Sequence, residues 1–261
     1  MAVPLDVMRS ELVAVVTDSS PGRSVADALC ATCVRLFEVD GAAVSVVLNG
    51  TSSGTFGSSS ETSRRLDEYQ FTFGEGPCLD AVAAQEAVLV PDLDSPQEQR
   101  WPVFANAVLE DGIRGVFSLP ITVGSECVGA LDLFRAGPGP LQGDILAGAM
   151  IAAEFASAPF LDFMAEARNE TELDEFYGMS VPSEADADGD GDGDGVDRFE
   201  VYQATGMLIS MLDVHAAEAL VRLRAHAMAT GQTASQVARA IIERRLVLDR
   251  DDKGEAGRSP R

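Results

Sequence analysis

Lysine is almost missing from this chain: 19 residues are basic, yet the one lysine is Lys253 in a polar terminal stretch. A P-loop needs a Gly-Lys pair, a Schiff-base enzyme a buried lysine, and a protein kinase a lysine on an early strand. Each of these is excluded, and a receiver domain over the first 165 residues is disfavoured for the same reason. Histidine is nearly as scarce. His215 and His226 are the two present, so residues 1–165 hold no imidazole for a Ser-His-Asp or Cys-His engine or for a haem ligand. The four cysteines are too few and too scattered for a disulfide framework. Cys30 and Cys33 have redox or zinc spacing, but they lie inside a helical stretch without a second Cys or His pair, so they read as small core residues. No apolar run approaches the ~20 residues of a bilayer span, and no signal peptide opens the chain. The expectation is a cytoplasmic protein without a membrane partner, a metal or another cofactor.

What is abundant is acid. The net charge is −23, and it is unevenly spread. Residues 1–165 carry 8 basic and 22 acidic side chains, residues 166–197 carry 1 and 12, residues 198–250 carry 7 and 5, and residues 251–261 carry 3 and 3. Only the third of these segments is net positive and suited to a polyanion. Hydrophobic residues make up 46% of the chain, enough for a core, and the length fits one ordinary domain plus a smaller one.

The hydrophobic period divides the chain. Helices are expected at 5–17 and 24–38, then a hairpin of 42–48 and 51–57 across Asn49-Gly50. A polar helix follows at 61–69, a glycine turn at 73–78 opening a helix through Gln85, a strand at 87–90, and, after Pro96, a helix to about Glu110. Strands at 115–123 and 127–134 meet at Gly124-Ser125, and 141–165 reads as one long helix. This order describes an α+β domain with an antiparallel sheet and flanking helices.

Residues 166–197 read as an acidic flexible linker. Asp186, Asp188, Asp190, Gly191 and Asp197 fall at calcium-loop positions, but Gly193 stands where that loop needs an apolar residue, so the register is that of an Asp-Gly tract. The tract has two readings, a spacer or a tethered polyanion that occupies basic groups of the net-positive segment beside it.

Residues 198–250 read as three helices and 251–261 as a polar tail. In the first, Val201, Ala204, Leu208 and Leu212 form a core stripe, and Phe199, Gln203, Gly206 and Ser210 the opposite face. A glycine inside a helix costs about 1 kcal/mol against alanine, so Gly206 marks close helix packing or the close approach of a ligand. The second helix, from Val214 or His215 to Thr230 and ending at Gly231, has Ala216, Leu220, Leu223 and Ala227 on one stripe and places Glu218, Arg222 and His226 at spacings of four, with Arg224 on another side. Thr233 and Gln236 make a capping box for the third, whose stripe is Val237, Ala238, Ile241 and Leu248 and whose last turn holds Arg244 and Arg245. By spacing alone this unit is a nucleic-acid reader or a helical dimerisation cap.

Two resemblances carry the reading further. The Phe73-Gly74-Glu75-Gly76-Pro77-Cys78 turn, the Trp101-Pro102 helix and the 115–134 hairpin resemble a GAF domain, a sensory module; the resemblance implies a pocket for an unidentified small-molecule ligand or a dimerisation role. Tyr202 to Leu208, Ala219 to Ala227 and Gln236 to Arg239 closely resemble the ANTAR domain, an RNA-binding antitermination module of bacterial regulators. That resemblance implies binding to paired stem-loops in nascent mRNA leaders, with Gln203, Thr205, Gly206, Arg222, Arg224, His226 and Arg239 as candidate RNA contacts. Thr205 stands where many members have lysine, and His215 where a serine cap is usual. A pair of stem-loops is matched best by a homodimer. The expected function is a non-enzymatic RNA-binding antiterminator governed by a sensory domain; the alternative is an interaction protein that only dimerises.

Overall fold

A computed structural model describes residues 3–18, 23–48, 51–161 and 199–248. The chain divides into two compact units, Met1–Asp197 and Arg198–Arg261. The linker, its calcium-loop register and the polar tail lie outside the described residues.

The first unit runs α1 (Leu5–Asp18), α2 (Arg23–Phe37), β1 (Gly41–Leu48), β2 (Thr51–Ser58), α3 (Glu61–Phe73), α4 (Pro77–Ala84), β3 (Val88–Val90), α5 (Pro102–Glu110), β4 (Gly115–Val123), β5 (Glu126–Arg135) and α6 (Gly143–Phe155). Its sheet has the order β2-β1-β5-β4-β3, antiparallel at every pairing. Strand side chains alternate between faces. Ala42, Val44, Val46, Phe117, Leu119, Ile121, Leu131 and Leu133 therefore join α1, α2 and α6 in the main core. The opposite parity, with Ala43, Val116 and Phe134, meets α3 and α5, where Leu66, Trp101, Phe104 and Val108 are buried. Cys30 and Cys33 are fully buried in the main core, and burial pushes both thiols up. They are packing residues, as their helical setting implied.

Two elements of this unit differ from the sequence expectation. The helix after Pro96 starts only at Pro102, because a residue before proline is driven from helical backbone and Trp101 lies outside it at φ −131°, ψ 74°. The long helix 141–165 begins at Gly143 and is interrupted at Ala156 before helix resumes through Leu161. By length and composition Gly143–Leu161 could cross a membrane, which corrects the expectation that no such segment exists. Its Ala149, Ala152, Ala153, Ala156 and Phe160 lie buried in the main core, so its apolar character is accounted for by packing on α1, α2 and the sheet.

The glycine turn is a three-way junction. Gly74 closes α3 in left-handed backbone, and its N–H donates to Gln70 O at 3.0 Å. Glu75 Oε1 accepts from Val103 N at 2.7 Å and Phe104 N at 3.0 Å, capping α5. Gly76 lies at φ +149°, and a Cβ there would run into the Gln70 side chain. Cys78 N donates to Gln70 Oε1 at 2.7 Å.

The second unit is α7 (Phe199–Leu212), α8 (Ala216–Thr230) and α9 (Ala234–Ile242). The chain bends by 109° between α7 and α8, and α7 packs on both of the other helices. Val201, Ala204, Leu208 and Leu212 are buried, as are Val237, Ala238 and Ile241, as the stripes of the first and third helices imply; on α8 the buried residues are Ala219, Leu223 and Ala227, whereas Ala216 of the expected stripe is exposed and Leu220 half-buried. His215 caps α8 without a side-chain hydrogen bond, Gly231 closes α8 in left-handed backbone, and both bonds of the Thr233–Gln236 box are formed. Arg244 and Arg245 were expected in the last turn of the third helix. They lie beyond it: the chain turns at Arg244, φ +57°, and this returns Leu248 to the core at 8% exposure.

Candidate nucleic-acid interface

The surface of α7 opposite its buried stripe presents Gln203, Gly206 and Ser210, all exposed. A Cβ built on Gly206 meets nothing within 4 Å. Close helix packing, one of its two readings, is thereby ruled out within the unit: the glycine opens a bare strip of helix backbone to the outside. Thr205 belongs to the other side. It is 8% exposed and its hydroxyl donates to Val201 O at 2.6 Å, so this candidate contact offers no surface donor. The cause is position, since Thr205 follows Ala204 and Val201 around the inward arc.

On α8, Arg222 lies over the preceding turn and donates to Glu218 Oε1, Nε at 3.1 Å and a terminal nitrogen at 2.7 Å. Arg224 is half-buried with its Nε withdrawn from the surface. His226 is half-buried as well. On α9, the exposed Arg239 reaches across to α7 and donates to Glu200 Oε1 at 3.1 Å. Arg245 pairs with Glu243 nearby. The arginines on this unit are thus largely answered by its own carboxylates, and its surface is far from a uniform cationic face.

Two features escaped the sequence reading. Glu200 holds Arg239 across 39 residues, which no local spacing could reveal. Tyr202 is 53% exposed on α7 beside Gln203. An aromatic between the buried Val201 and Ala204 was the available signal, because helical arithmetic already turns it outward.

Residues 22–158 match the GAF domain family and residues 196–242 the ANTAR domain family. The chain belongs to the GAF domain family over more than half its length and, with its second unit, is a GAF–ANTAR protein. Both are regulatory domains rather than catalytic ones. Among solved structures, the chain is similar to the GAF domain of a phosphoenolpyruvate-protein phosphotransferase from Coxiella burnetii: 15% identity, 65% of this chain, 98% of that one, TM-score 0.49. The corresponding Acinetobacter GAF domain is 11% identical over 63% of this chain and 94% of its own, TM-score 0.47. A free methionine-R-sulfoxide reductase from Neisseria meningitidis, solved with its substrate, is 17% identical over 63% and 91%, TM-score 0.43. No curated protein matches the chain.

Proposed function

We propose that this chain is a transcription antitermination regulator whose ANTAR unit binds stem-loop RNA in nascent transcripts under the control of its GAF unit. The ANTAR match over residues 196–242 carries the reading, supported by the open strip at Gln203 and Gly206 on α7. A segment with 7 basic and 5 acidic residues neutralises few phosphates, and ion pairs from Glu218 and Glu200 reduce that further. Affinity must therefore come from unpaired loop bases, stacked on an exposed aromatic such as Tyr202 and hydrogen-bonded by Gln203, rather than from a duplex backbone. Two copies of the chain, joined through their GAF units, engage two hairpins of one leader, so weak single contacts add through tethering. The chain works as a cytoplasmic regulator without catalytic turnover.

The test is binding of the purified chain to a pool of transcript leader RNAs, with duplexes and single strands of the same composition as controls. Selective retention of hairpins with unpaired loops supports the reading. Retention of none at micromolar protein, with a stable dimer by sedimentation, would instead identify a pure interaction protein.

A further inference from the structure

The sheet face beneath α3 and α4 has a polar row at its centre. Thr55 on β2, Ser45 on β1, and Asp132 and Ser118 on β5 and β4 are all buried, and register places Ser45 opposite Thr55 and Ser118 opposite Asp132. Asp67 and Gln70, one turn apart on α3, close over the row, both fully buried. Thr55 Oγ1 donates to Asp67 Oδ2 at 2.5 Å. Asp132 Oδ1 accepts from Ser118, and its Oδ2 accepts from Ser45 at 2.8 Å and from Gln70 Nε2 at 3.1 Å. Ser45 Oγ is also hydrogen-bonded to Asp67 Oδ1.

That last pair of contacts sets a count. A serine hydroxyl has one proton to donate, yet Ser45 touches a carboxyl oxygen on each side. Both contacts are hydrogen bonds only if one carboxyl is protonated and donates to Ser45 while Ser45 donates to the other. Electrostatics runs the same way: burial, then the charge of Asp67, pushes Asp132 up to about 7 against the donation of Ser118, Ser45 and Gln70. Three thiols lie within electrostatic reach of the row or of one another. Cys78 of α4 and Cys30 of α2 are raised by burial first, and the half-buried Cys127 of β5 is raised for the same reason, so all three are neutral at neutral pH. Asp132 makes no ion pair among the described residues, and no lysine or histidine occurs anywhere before residue 215.

We propose that Asp67, Ser45 and Asp132 form a pH-responsive latch that holds one proton between two carboxyl groups and fastens α3 to the sheet while that proton is in place. Release is a plain ionisation, in which a carboxyl O–H breaks, the electron pair stays on oxygen and the proton passes to water. Two carboxylates then face one hydroxyl in a fully buried setting, and the strain falls on the α3 seam. The folded latch keeps a proton that the unfolded chain has already lost above pH ~4. Its stabilisation is therefore fully present below that pH and disappears as pH rises toward 7. The unit contains no histidine to titrate in the same window. Asp92 and Glu98, held low by Arg114 and Arg100, titrate beneath it.

The experiment uses the full chain and two readouts. Trp101, the one tryptophan, is 4% exposed in the GAF core, so its fluorescence in urea follows this unit alone. The folding constant should fall about tenfold per pH unit between pH 5.5 and 7, then level off; Asp67→Asn and Asp132→Asn should each flatten the slope. Infrared difference spectra across the same range should show a buried protonated carboxyl band at pH 6 that is lost by pH 8.5. A pH-independent wild-type midpoint, or no protonated band at pH 6, overturns the latch. If both variants fail to fold, the wild-type infrared titration still decides. The latch stands on the GAF unit alone, so failure of RNA binding leaves it untouched.

Discussion

Arg239 of α9 donates to Glu200 of α7 at 3.1 Å, joining the third helix of the ANTAR unit to the first turn of its first. The arginine of this pair is 63% exposed and the glutamate 26%, so the guanidinium can exchange its carboxylate for a phosphate without leaving its place. Exposed ion pairs are worth at most about 1 kcal/mol, which makes the pair a poor stabiliser and a ready competitor. Arg239→Ala should leave the fold intact and weaken hairpin RNA binding by about 1–3 kcal/mol, with Arg222→Ala behaving alike. Glu200→Gln should strengthen binding at low salt. Filter binding at two salt concentrations checks all three, and equal affinity in every variant would remove both arginines from the contact surface.

Gly206 separates helix stability from recognition. Its absent side chain leaves open space, so Gly206→Ala should raise the stability of the ANTAR unit by about 0.5–1 kcal/mol. If RNA backbone approaches the strip, the same methyl group should lower affinity. Helicity by circular dichroism during thermal unfolding and RNA binding are expected to move in opposite directions; a gain in both would place RNA elsewhere.

Gly76 is the opposite case. At φ +149°, with Gln70 in the path of a Cβ, Gly76→Ala should destabilise the GAF unit by about 2 kcal/mol or more. The loss also disturbs Gln70, whose amide serves both Cys78 N and Asp132. Urea unfolding followed by Trp101 fluorescence measures it, and an unchanged midpoint would mean that the turn relaxes freely.

The acidic segment offers a fourth test. Replacing Asp186, Asp188, Asp190, Asp192 and Asp194 by serine removes five of the twelve acids in residues 166–197. If the tract competes with RNA for arginines, affinity should rise at low salt and the gain should fade as salt rises, because exposed charges are screened beyond about 8 Å at physiological ionic strength. A spacer would give no change at either salt.

Local devices were legible in the sequence. The Thr233–Gln236 box, the Gly231 stop and the Val201–Leu212 stripe each depend on residues within a few turns of one another, so their spacing alone specified them. The order of strands and helices in the GAF unit followed from the change of hydrophobic period. The polar helix expected at 61–69, which the structure extends to Phe73 as α3, shows the boundary. Its composition suits a wet surface, yet Asp67 and Gln70 are fully buried, because strands β1, β2, β4 and β5 bring Ser45, Thr55, Ser118 and Asp132 beneath it from positions up to 65 residues away. Thr205 and Arg239 have surroundings their motif did not reveal for a related reason: the inward arc of α7 buries one, and a glutamate 39 residues distant pairs with the other. Periodicity decides which residues share a face. Only packing and strand register decide which polar groups from distant segments must answer one another, since a buried donor or acceptor is costly unless the fold delivers its partner.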